Sequence, residues 1–149
     1  MLKLILLTLL IAAVVGMGWV RLAPNDPARW HLDPRRVARP TTPNFHLLRM
    51  GDGDAPAPIF DTAPTALAER LHEVALADGA TLLAGRVSEG HMTYRTRSRV
   101  MGFPDYTSVF IEPAGDGSVL TAFARARYGY SDMGANRARL EAWVAALSD

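Results

Sequence analysis

Between His91 and Val100 the chain alternates residue by residue in a way that only a pleated strand can use. Met92, Tyr94, Thr96, Ser98 and Val100 form one set, and His91, Thr93, Arg95, Arg97 and Arg99 form the other. A period of two sends successive side chains to opposite faces, so three arginines are expected in a row on one face of a sheet. The other face must then meet an apolar layer. This excludes an all-helical fold for the second half of the chain.

The flanking segments extend the pattern. Ala80 to Val87 reads as a strand with Gly85 as a bulge, and Glu89-Gly90 as its turn. Thr107 to Glu112 and Ser118 to Arg127 read as a hairpin joined by Pro113-Ala114-Gly115-Asp116-Gly117. In the second arm Leu120, Ala122, Ala124 and Ala126 form a small apolar face suited to a helix. Val119, Thr121, Phe123, Arg125 and Arg127 fall on the other side.

Two helices fit that layer. One opens at Thr62 with Pro64 in its first turn, carries Leu67, Leu71 and Val74 as a stripe, and stops at Gly79. His72 lies off the stripe and reads as a surface residue. The other is capped by Ser131 or Asp132 and buries Met133, Leu140, Trp143, Val144 and Leu147. Asn136 shares that stripe, so its amide needs partners and is expected to tie the helix to a strand end. The predicted domain is therefore α+β: a four-stranded antiparallel sheet with two helices on one face and arginines on the other, over residues 44–149.

Upstream, Leu4 to Val20 contains Thr8 as its sole ordinary polar side chain. With Lys3 and Arg21 snorkelling and Trp19 at an interface, residues 1–21 are long enough for a hydrocarbon core of about 30 Å. A cleaved signal is the alternative, but Gly16-Met17-Gly18 before Trp19 makes a poor cleavage site. Lys3 favours an inside N-terminus, whereas Arg21, Arg29, Arg35, Arg36 and Arg39 pull the other way. A following domain of this length translocates largely regardless of charge. The expectation is a single-pass bacterial inner-membrane protein with a periplasmic domain. Residues 22–43 hold Pro24, Pro27, Pro34, Pro40 and Pro43 and read as an extended spacer. Trp30 within it either lies on the membrane interface, covers the domain, or docks a partner.

The segments Arg97-Ser98-Arg99, Gly102-Phe103-Pro104-Asp105 and Ala126-Arg127-Tyr128-Gly129-Tyr130-Ser131-Asp132-Met133-Gly134-Ala135-Asn136-Arg137-Ala138-Arg139 resemble the uncharacterised DUF1499 family. Its pattern is R-S-R, G-F-x-D and then S-R-x-G-x-S-D-x-G-x-N-x-x-R. The resemblance implies a bacterial, membrane-associated or exported protein and supplies no activity. Family members often carry P-N-C-V-S-S where this chain has Pro43-Asn44-Phe45-His46-Leu47, so no cysteine role carries over.

The chemistry these residues could perform is narrow. Arg95, Arg97, Arg99, Arg125 and Arg127 suit an anionic ligand, an anionic lipid headgroup or a membrane-protein partner, because guanidinium binds phosphate and carboxylate bidentately. The plainer alternative is a solvated face neutralised by Glu112, Asp105 and Asp132. Ser131, Asp132, Asn136 and Arg139 read as a structural polar clasp. An alternative makes Ser131 and Asp132, or His91, the working groups of a hydrolase in an arginine-lined cleft, although no G-x-S-x-G elbow surrounds Ser131. The four histidines lack metal-ligand spacing, the two aspartates of Gly51-Asp52-Gly53-Asp54 lack further oxygen ligands, and cysteine is absent. No metal, cofactor or catalytic residue is expected. A net charge of +1 argues against nucleic acid as a partner. The leading expectation is a membrane-anchored, non-enzymatic envelope module.

Overall fold

The protein is described here by a computed structural model covering residues 1–99 and 101–149. Helix α1 (Leu2–Leu22) has no buried residue and is long and apolar enough to cross a membrane. A short helical turn, α2 (Pro27–Trp30), follows, with Asp26 accepting the Ala28 amide at its start.

The domain is α+β, as expected, but its antiparallel sheet has six strands rather than four. β1 (Phe45–Leu48), β2 (Ile59–Phe60), β3 (Thr81–Arg86), β4 (His91–Arg97), β5 (Pro104–Ala114) and β6 (Gly117–Ala126) alternate with α3 (Pro64–Ala77) and α4 (Ala135–Ser148). The order is β1-β6-β5-β4-β3, and β2 pairs with the opening residues of β6. The two extra strands cap the edge of β6, which a four-stranded reading would leave open. Ser118 donates to the Thr62 carbonyl there, joining the strand to the approach of α3.

Both helices lie on one face. Leu67, Leu71 and Ala75 of α3 and Leu140, Trp143 and Leu147 of α4 pack on Met92, Tyr94, Val109, Ile111, Leu120, Ala122 and Ala124. The small residues of β6 let the helices approach closely, and Tyr94 meets Trp143 edge-on at 5.7 Å. Burial of this apolar layer is the main source of stability. Proline serves at the start of α3 as expected, but Thr62 is not its cap: Ala63 holds that place without a side-chain bond. His72 is not a free surface residue, since its ring nitrogen lies 3.0 Å from the Tyr94 hydroxyl. Met133 leaves the expected α4 stripe. It is 98% exposed with φ 54°, because the chain turns before α4 begins.

The alternation in β4 holds through Arg97. There the strand ends, and the Gly102 amide closes a turn onto the Ser98 carbonyl, so Arg99 sits beyond the sheet. Val100, expected on the helix-facing side, lies outside the described residues.

Candidate functional site

The opposite face of the sheet is where the chain departs from simple expectation. Cross-strand register sets Arg95, Tyr106 and Arg125 side by side on β4, β5 and β6. Arg97 pairs with Pro104, whose carbonyl accepts the Arg127 amide, forming a second such row. Four of the five expected arginines therefore share one face.

That face is not bare. Residues 22–39, expected to be a spacer, run across it as a strap. Proline density does keep most of this stretch out of helix, but its backbone carbonyls then need donors, and the arginines supply them. Arg97 Nη2 donates to the Arg21 carbonyl at 3.0 Å, Arg127 Nη1 to Pro24 at 2.7 Å, and Arg125 Nη2 to Arg29 at 3.0 Å. The Trp30 ring stacks on Tyr106 with centroids 3.9 Å apart, and the Arg125 guanidinium lies 4.5 Å from its centre. Trp30 is only 4% exposed, which decides among its three readings: it covers the domain. Tyr106 completes the seat by donating to Asn25 Oδ1.

Further along, the strap is held by hydroxyl and imidazole groups. Ser108 donates to the Trp30 carbonyl, and its oxygen lies 2.8 Å from that of Thr93, which in turn meets His31. His31 stacks on His91 at 4.0 Å, and His91 meets the Leu32 carbonyl. Burial, and secondarily the neighbouring His91, hold the His31 imidazole below its ordinary value, against a weaker opposite pull from Glu89. Gly85 belongs to this contact: its φ is 86°, and a Cβ there would collide with the His91 carbonyl and the His31 ring. Arg35 anchors the far end between Asp33 and Glu112 while lying over the Phe110 ring.

Electrostatically the arginine end is one-sided. Glu112 is taken by Arg35, Asp105 by Arg139, and Asp132 by the start of α4, so the acids expected to neutralise the row serve elsewhere. Among the described residues no carboxylate lies within ion-pair distance of Arg95, Arg97, Arg99, Arg125 or Arg127. Burial first, then Arg95, Arg21 and Arg127, depress the Arg97 guanidinium below its ordinary value. Arg125 is depressed by burial and by Arg29. The guanidinium groups of Arg95 and Arg99 make no hydrogen bond among the described residues. Arg97 and Arg127 thereby sit at the exit of α1, where the Arg21 side chain lies against Gly102 next to exposed Phe103.

The polar clasp forms on the helix side. Asp132 accepts the Gly134 and Asn136 amides and the Asn136 side chain, the last at 2.7 Å. Fully buried Asn136 also reaches the Asn44 carbonyl beside β1 and accepts from Arg139. Arg139 continues to Asp105 at 3.4 Å and approaches Asp78 at 3.7 Å. Asp105 is lifted above its ordinary value because burial outweighs Arg139. Ser131 is exposed and accepts the Met133 amide. The groups of the hydrolase alternative do not converge. Ser131 and Asp132 follow the end of β6, while His91 lies at the far end of β4 against the strap. A cavity of about 580 Å³ beside Asp132 is lined by His46, but its charges pair internally as Arg39–Asp54 and Arg137–Glu141.

Sequence reasoning missed Tyr106, Arg21 and Asn25 as parts of the arginine site. Tyr106 could have been found, since it falls on the arginine side of β5 once the hairpin register is set. No curated protein matches the chain. The sequence model for the family described as "Protein of unknown function (DUF1499)" matches residues 31–147. That span takes in the clasp, the sheet and the half of the strap that follows Trp30, and the chain belongs to the DUF1499 family.

Proposed function

We propose that the protein is a single-pass, non-enzymatic module of the bacterial inner membrane, with its domain on the periplasmic side. Its arginine-rich end binds anionic lipid headgroups. Residues 1–21 anchor the chain, the strap over 22–43 fixes the domain close to the bilayer, and residues 44–149 carry the binding surface. The observation that carries this reading is the arginine cluster at the exit of α1, where among the described residues no carboxylate lies at ion-pair distance from the sheet arginines. Guanidinium groups at headgroup depth, near exposed Phe103, match the chemistry of a phosphate-rich interface. A soluble-ligand reading has less support, because Arg97, Arg125 and Arg127 already hold the strap.

Arg95 and Arg99 are the arginines to remove, since neither guanidinium is used internally. Full-length protein reconstituted in equal phosphatidylglycerol and phosphatidylcholine can be excised with styrene–maleic copolymer and its lipid shell quantified. The wild type should enrich phosphatidylglycerol. Each basic group near an anionic surface contributes about 1 kcal/mol, so Arg95→Gln with Arg99→Gln should cut the enrichment several-fold. Identical shells around both proteins would refute the proposal.

A further inference from the structure

The geometry points to a discrete phospholipid site between α1 and the domain, one that deepens the lipid-binding reading and rests on it. Val15, Gly18, Trp19 and Leu22 of α1 face Arg127 and Tyr128 across a groove of about 500 Å³. From Val15 to Leu22 the helix rises about 10 Å, so the groove runs from hydrocarbon depth towards the interface. Its floor is apolar and its upper rim carries Arg127, the one charged residue of the lining. The volume lies within the range of small-molecule sites, about 300–1,000 Å³.

The occupant follows from that gradient. An acyl chain lies along Val15, Gly18 and Leu22, reached from the bilayer without crossing water. The phosphate sits at Arg127, beside the ring of Tyr128, which is 5.2 Å from the guanidinium carbon. Arg127 spends Nη1 on the Pro24 and Tyr106 oxygens, and the planar fork retains donors for a phosphate oxygen. Arg97, itself crowded by Arg95, Arg21 and Arg127, lies behind it. A lipid with net negative charge relieves that crowding and a zwitterionic one does so less. The site is therefore assigned to an anionic glycerophospholipid of the phosphatidylglycerol type. Gly18 keeps the floor open: a Cβ added there meets nothing within 4 Å, so a larger side chain can enter the groove without disturbing the fold.

The test uses full-length protein in mild non-ionic detergent, offered phosphatidylglycerol or phosphatidylcholine of identical chains and read by native mass spectrometry. The wild type should retain one phosphatidylglycerol per chain, at least several-fold more than phosphatidylcholine. Gly18→Leu should abolish that adduct while leaving the phosphatidylglycerol enrichment of the excised lipid shell intact. Absence of a wild-type adduct, equal retention of both lipids, or an adduct that survives Gly18→Leu would each overturn the site. Those results leave the broader reading standing, because only the shell measurement on the Arg95/Arg99 variant bears on it.

Discussion

The two faces of this sheet are both covered, but by unlike means. On one side α3 and α4 bury aliphatic and aromatic side chains in a dry layer, where nearly every contact is apolar. On the other a strap with little secondary structure is held by guanidinium–carbonyl bonds, one stacked tryptophan and a line of hydroxyl and imidazole contacts. The first covering gains from water released; the second from donors meeting acceptors that a proline-rich chain leaves open. Apolar layers are strong and indifferent to charge, whereas the strap should be weaker, separable and sensitive to proton concentration.

The contrast can be broken first at its strong side. Trp143→Ala should remove about 3–5 kcal/mol, the usual cost of truncating a core tryptophan, and it also loses the bond from its indole nitrogen to Asp78. Thermal unfolding in detergent should move by many degrees. Trp30→Ala should cost less, about 2 kcal/mol from lost stacking and cation–π contact, and its effect should be local. Proteolysis should then open residues 22–43 well before the domain unfolds. If Trp30→Ala lowers the unfolding temperature as far as Trp143→Ala does, the two faces are a single cooperative unit and the contrast is mistaken.

The smallest effect concerns pH. His31 binds its proton less readily when folded than at its reference value of 6.5. Between that value and the lower folded one, the released strap holds more protons than the seated strap. Its stabilising contribution is thus complete above about pH 6.5 and declines as pH falls. His91 and Glu89 act on the ring directly, and Asp33 acts in turn on His91. Strap opening, followed by protease sensitivity from pH 8 to pH 5, should increase on acidification and flatten in His31→Gln. An unchanged pH profile in that variant would remove His31 from the account.

Much of the helix-covered side could be read from residue order alone. The alternation in β4, the small apolar face of β6 and the stripe of α3 are local signals, and they agree with one another. β1 and β2 could not be read, because four and two residues between prolines and glycines carry no measurable period. The clasp was legible because a carboxylate just before a helix and an amide on its buried stripe both call for partners, but the expected cap was not: Gly134, rather than Ser131 or Asp132, stands at the N-cap of α4. The strap was only half legible. Proline density gives its extended form, but nothing near Trp30 in the chain says that Tyr106, seventy-six positions later, will be its seat. Met133 failed for a related reason: helical spacing was projected one turn too far, across Gly134.

Gly85 carries a consequence beyond its own turn. It sits on the outermost strand, whose unpaired edge would otherwise invite other chains, and its missing side chain is the recess into which an imidazole fits. One added methyl group would meet the His91 carbonyl of the paired strand first and the imidazole second. Pairing of the two strands and seating of the tether would then be disturbed together. Docking of the tether and pairing of the outermost strand are thus joined at a single hydrogen atom, and neither can be relaxed by itself.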